Sequence, residues 1–159
     1  MVVPVDTESY SYRFYKTLNN DVKLKSNEYN EWDIVFDDTT NDWINVSGFD
    51  SLSNACLIAI MTRFNEESFL PPYEDFGCRV HELVKANKSR NVQYRMELFI
   101  TETLQSIRRV RKVNWVQVTD NPDGEDYNYQ VNFSVSGVID EDYTTEDLDL
   151  STIEVKFYL

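Results

Sequence analysis

The sequence predicts an α+β domain in which an antiparallel sheet packs on two or three helices. Three observations carry that prediction. Residues 51–64 are apolar around most of a helical circumference, and residues 91–107 repeat apolar side chains at helical spacing. Tyr127, Tyr129, Val131, Phe133 and Val135 alternate strictly with Asn128, Gln130, Asn132, Ser134 and Ser136, the pattern of a half-buried strand with one wet face. Strands come before and after the helices rather than between them, which is the order of an α+β fold. The 159 residues suit one domain with a real core. A content of 42 % hydrophobic and 14 % aromatic residues excludes a disordered chain.

The elements follow in order. Tyr10, Tyr12 and Phe14 alternate with polar residues, as in a short strand or arm, and the Asn-rich text at Asn19, Asn20, Asn27 and Asn30 reads as loop. Ile34-Val35-Phe36 and Trp43-Ile44-Asn45-Val46 flank a polar turn at 37–42, which predicts a hairpin. Asp50 is placed to cap a central helix that turns Leu52, Cys56, Ala59 and Ile60 inward. Phe69–Tyr73 holds two prolines and is extended. A short helix follows over about 78–87. The helix over 91–107 buries Val92, Met96, Phe99, Ile100, Leu104 and Ile107, with Glu97, Glu102, Gln105 and Arg108 outward. Strands are expected at 113–119 and 127–137, joined by the turn Asp120–Gly124. Residues 140–149 hold six acids and no base, and are extended by repulsion before a terminal strand at 152–158. The expected organisation is an N-terminal arm (1–31), a core domain (32–139), and an acidic linker with a C-terminal strand (140–159).

Charge is polarised along the chain. Residues 79–112 carry nine bases against three acids, a net +6, and the other residues carry six bases against 25 acids, a net −19. The total of −13 argues against nucleic acid as a direct partner, because the summed field repels phosphate. Arg108, Arg109, Arg111 and Lys112 follow the long helix. Four cations exceed what its dipole asks for, so they point to an acidic protein surface.

Little catalytic chemistry shows. The lone His81 lacks a nucleophile motif such as GxSxG, and reads as structural. Cys56 and Cys78 form no metal spacing and read as buried free thiols, consistent with folding in a cytoplasm. Asp37, Asp38 and Asp42 lack the Gly and Glu of a calcium loop. Four scattered glycines build no phosphate cradle. The carboxylates read as a solvated acidic surface, not as a glycosidase pair. No cofactor or metal is expected, and the N-terminus has neither the basic start nor the apolar run of a signal peptide.

Residues from about Asp33 to Val138 resemble the gp25-like baseplate wedge family of contractile phage tails and related injection machines, also called sheath initiators. The resemblance lies in DIVFDDTTNDWINVSGFDSLSNACLIAIMTRFNEE, which is similar to the family's hairpin, Gly step and helix. It continues in FLPPYEDFGCRVHELV, similar to its Pro, aromatic-Gly and short helix, and in RRVRKVNWVQV after the long helix. Arg109 and Val110 stand where family members often carry Glu and Pro, while Arg111 matches their Arg.

The resemblance implies a gp25-like fold and a non-enzymatic structural protein of the virion. Such a protein joins the wedge's helical bundle and templates sheath polymerisation by β-strand addition. Its implied partners are baseplate wedge proteins, the tail sheath protein and hub or tube proteins, in six copies per particle, with no membrane and no direct nucleic acid. It implies a location in the tail baseplate after assembly in a host cytoplasm. The partner-binding residues expected on this reading are Arg108, Arg109, Arg111, Lys112, Trp115, Tyr129, Val155 and Phe157. Two other function classes stand beside it: a lysozyme-like cell-wall hydrolase and a generic acidic adaptor module.

Overall fold

A computed structural model describes residues 20–26, 32–66, 75–83, 85–120, 129–137 and 152–158. The order is β1 (Asn20–Val22), β2 (Leu24–Ser26), β3 (Trp32–Ile34), β4 (Asn45–Ser47), α1 (Phe49–Met61), a 3-10 turn (Arg79–Glu82), α2 (Arg90–Ser106), β5 (Val110–Asp120), β6 (Tyr129–Gly137) and β7 (Thr152–Tyr158). The fold is mixed α+β with antiparallel pairing of its named strands, as the sequence predicts. The expectations for Tyr10–Phe14, Phe69–Tyr73, the turn after Asp120 and the acidic stretch 140–149 lie outside the described residues.

The core lies between the sheet β5–β6–β7 and the two helices. α1 contributes Leu52, Cys56 and Ile60; α2 contributes Met96, Ile100 and Leu104; β6 contributes Tyr129, Val131, Phe133 and Val135, all fully buried. Each such aliphatic or aromatic side chain is worth about 1.5–3 kcal/mol relative to exposure. β6 is the central strand, with Phe133 opposite Val116 on β5 and Val155 on β7. The terminal strand thus pairs within its own sheet.

β5 owes its shape to two register shifts, one between Val110 and Lys112 and one between Val113 and Trp115. Each inserts one residue, Arg111 and then Asn114, and restores the inward phase afterwards. Val110, Val113, Val116 and Val118 therefore all turn toward the core despite a spacing of three, three and two. The second shift also corrects the expected wet face of β6. Asn114 Nδ2 donates to Ser134 Oγ and Ser136 Oγ, both at 3.1 Å, and both serines are buried.

The helices differ from expectation at their ends. α1 is capped at Gly48, whose φ of +66° suits a residue without Cβ, and Asp50 lies in the first turn instead. It stops at Met61 because Thr62 turns extended and its carbonyl accepts from Cys78 N–H at 2.8 Å. Residues 62–65 and 76–78 then clasp each other. Phe64 N–H donates to Cys78 O at 3.2 Å and Asn65 N–H to Phe76 O at 3.1 Å. Gly77, at φ +104°, closes the clasp. A Cβ there would lie 2.4 Å from Arg63 O. The short helix expected over 78–87 is a single 3-10 turn. Leu83 N–H bonds to Val80 O, and the Arg79–Glu82 ion pair spans three residues, which eclipse in that geometry. α2 starts at Ser89, whose hydroxyl accepts from Val92 N–H.

The Asn-rich stretch holds strands where loop was expected. β1 pairs with β4, and β2 with β3. Between them Lys23 donates to Ile44 O at 2.7 Å and accepts from Val35 N–H at 3.0 Å. Long-range pairing thus overrides local composition. Residues 20–26, assigned from sequence to an arm, belong to this ribbon, and Asn54 Nδ2 on α1 holds it through Val22 O at 2.7 Å. The predicted hairpin is present: Phe36 bridges Trp43, and Asn41 turns the chain at φ +57°.

Candidate interaction surface

The basic stretch divides when folded. Arg108, Arg111 and Lys112 are exposed, and none of the three is ion-paired with a described carboxylate. Arg111 occupies the first irregularity of β5, so it is aimed by the strand's kink. Arg109 is different. Its Nη1–H donates to Ser51 Oγ at 3.1 Å, and Ser51 is fully buried in α1. Arg109 therefore ties the β5 entrance to α1 and is half-buried, unlike its exposed neighbours. Burial pushes the Cys56 thiol up to about 12, against which the Arg109 charge pulls down. Burial likewise raises Cys78, opposed by its contact with the Thr103 hydroxyl. Both thiols are buried and free.

Of the expected aromatic anchors, Trp115 is 42 % exposed and follows the second irregularity of β5. Tyr129 is fully buried, so it cannot present its ring to a partner as expected. The reason is its phase: it shares the inward set with Val131 and Phe133 at the start of the central strand. Burial raises its phenol, helped by the negative charge of Asp120, its cross-strand partner. Val155 and Phe157 lie opposite Phe133 and Val131 in the register of β7.

Sequence reasoning missed three side chains on other surfaces. Tyr94 and Leu98 on α2 are 68 % and 47 % exposed, one helical turn apart. The signal was present, since both fall out of phase with the inward set Val92, Met96 and Ile100. Glu97, expected outward, instead accepts from Val118 N–H at 3.0 Å. That bond caps a backbone donor of β5 and blunts the sheet on this side. Phe99 carries Arg79 at 4.9 Å and Arg95 at 5.9 Å over its ring.

His81 is held structurally, its Nε2 lying 2.8 Å from Ile60 O. A carbonyl only accepts, so Nε2 carries the proton. Asp37 accepts from Thr39 and Thr40 N–H, which holds its carboxyl below the usual range. Among the described residues no three His, Cys, Asp or Glu side chains are grouped to hold a metal, and no helix is long and apolar enough to cross a membrane. The described residues present three features suited to binding: a cationic corner at 108–112, an apolar pair on α2, and a sheet ending in β7. No protein-family model matches the chain, and no curated protein matches it either.

Proposed function

We propose that the chain is a non-enzymatic assembly protein of a contractile tail or related injection machine, a baseplate wedge component with a gp25-like fold that initiates the sheath. One observation carries this reading furthest. β7 forms an outer edge of the three-stranded sheet, and the other outer strand, β5, is capped by Glu97 at Val118. A sheath subunit's strand adds to the β7 edge by main-chain hydrogen bonding. Tyr94 and Leu98 suit docking of a neighbouring helix, and Arg108, Arg111 and Lys112 suit an acidic wedge surface. The resemblance through the Gly step, the aromatic-Gly and the Arg after the long helix supplies the partners' identity.

The test is reconstitution with purified wedge and sheath subunits. The chain is expected to seed sheath polymerisation. Reversing exposed charges in the pair Arg108→Glu and Arg111→Glu is expected to abolish wedge docking while the thermal transition stays in place. Failure of the parent chain to bind either partner, or clearing of peptidoglycan in a zymogram, would overturn the proposal in favour of the adaptor or the hydrolase.

A further inference from the structure

The cations at 79–85 do not join the corner at 108–112; they belong to a different place. The clasp between 62–65 and 76–78 and the 3-10 turn enclose a cleft of ≈ 340 Å³. Arg63, Arg79 and Lys85 line it with Phe64 and His81, and among the described residues its one lining acid is Glu82. Glu82 is occupied: Arg79 Nε and Nη2 donate to its two oxygens at 3.2 and 3.4 Å. Arg63 and Lys85 are exposed and have no carboxylate partner among the described residues. The acids Asp75 and Glu102 line a separate cavity of ≈ 120 Å³ shared with Arg79 and Phe64, and the Glu66 carboxylate accepts from the Arg63 backbone N–H at 3.2 Å, so among the described residues the cationic ends of Arg63 and Lys85 are the ones left without an ion pair.

We infer that this cleft is a docking site for an acidic segment of a protein partner, one that carries a carboxylate beside an apolar side chain. Charge complementarity fixes the sign, and the wall fixes the class. Many phosphate sites add converging backbone N–H groups to their cationic side chains. Here three nearby backbone donors are consumed by the clasp, Phe64 N–H on Cys78 O, Asn65 N–H on Phe76 O and Cys78 N–H on Thr62 O, and Arg63 N–H donates to Glu66 Oε2 at 3.2 Å. Recognition is left to the Arg63 and Lys85 side chains and to the ring of Phe64, which is 38 % exposed. Arg63 offers a carboxylate a planar fork, Lys85 a point charge, and Phe64 an apolar surface for the adjacent residue. Gly77 sets the width of the cleft, since only glycine lets the two strands of the clasp close. The site does not depend on the contractile-tail reading, because it is tested on the chain alone.

The experiment is an NMR titration of the full chain with a synthetic peptide of alternating Glu and Phe, in low salt. Shifts are expected at Arg63, Phe64, His81 and Lys85, with affinity falling at least tenfold in the double variant Arg63→Glu, Lys85→Glu and falling steeply with added salt. A peptide with Lys in place of Glu is expected not to bind. Because both altered side chains are exposed, the variant is expected to keep its thermal transition. If that transition collapses, the single variants Lys85→Ala and Arg63→Ala carry the test with an expected partial loss. Three results would overturn the inference: unchanged affinity in the folded variants, shifts that map to 108–112 instead, or inorganic phosphate producing the same shifts and displacing the peptide, which would make the cleft a simple anion site.

Discussion

The sheet β5–β6–β7 and the ribbon β1–β4 use the same antiparallel hydrogen bonding and treat their side chains in opposite ways. In β6 every second residue from Tyr129 to Val135 is fully buried, and even Ser134 on the other face is dry. In the ribbon and its hairpin, Ile34, Phe36 and Trp43 are 39 %, 55 % and 54 % exposed. The ribbon's strands are three residues long and are tied to α1 by the bond from Asn54 to Val22 O. Backbone pairing alone contributes modest net stability, whereas burial supplies most of it. The sheet therefore opens only with the whole domain, and the ribbon opens as a local unit.

Phe133→Ala tests the sheet most severely. It removes a fully buried ring from the central strand and is expected to cost about 3–5 kcal/mol in denaturant unfolding. A loss below about 1 kcal/mol would mean that β6 is not the centre of the core. Asn114→Ala removes the side-chain donor of two buried serines and is expected to cost about 1 kcal/mol. Phe36→Ala and Trp43→Ala break an exposed cross-strand pair, and each is expected to cost under about 1 kcal/mol globally. They are expected to raise amide exchange in the hairpin while leaving β6 unchanged. Equal losses from Phe36→Ala and Phe133→Ala would remove the distinction between the two regions.

The same contrast explains what could be read from sequence. α2 and β6 were legible because burial imposes a period on the residues, 3.6 on the helix and 2 on the strand. β5 was legible only as a strand. Its valines at 110, 113, 116 and 118 follow neither period, because each irregularity adds a residue that no local signal marks. β1 and β2 were missed because their three-residue strands are too short to show a period, and the pairing of β1 with β4 depends on residues more than twenty positions away. At the candidate surface, the cations at 108–112 were found by charge alone. Composition could not separate Arg109 from its neighbours, since its partner Ser51 lies 58 residues earlier. Tyr129, expected among the partner-binding residues on the resemblance, alternates with Val131 and Phe133, and that alternation already sets it inward.

The smallest expected effect separates the ribbon from the sheet by pH. Asp37 Oδ1 accepts from Thr40 N–H at 3.0 Å and Thr39 N–H at 2.7 Å, and these bonds hold its carboxyl below the ordinary 3.8. A group with a depressed folded pKa binds fewer protons in the folded state than in the unfolded one. Its contribution is therefore complete above 3.8 and is lost as the pH falls through the lower folded value. The carboxylate is exposed at the hairpin turn, so solvent screening keeps the effect local. Asp37→Ala is expected to weaken protection of the Thr39 and Thr40 amides at neutral pH, and parent and variant should converge in acid as the parent's carboxyl protonates. The β6 amides should show no such convergence, because none of the buried groups facing that strand titrates in this range: the phenol of Tyr129 and the thiols of Cys56 and Cys78 are all shifted upward. No difference between parent and Asp37→Ala at neutral pH would show that the turn is held by its backbone bonds, Asp37 N–H to Asp42 O and Asn41 N–H to Asp37 O, and not by the carboxylate.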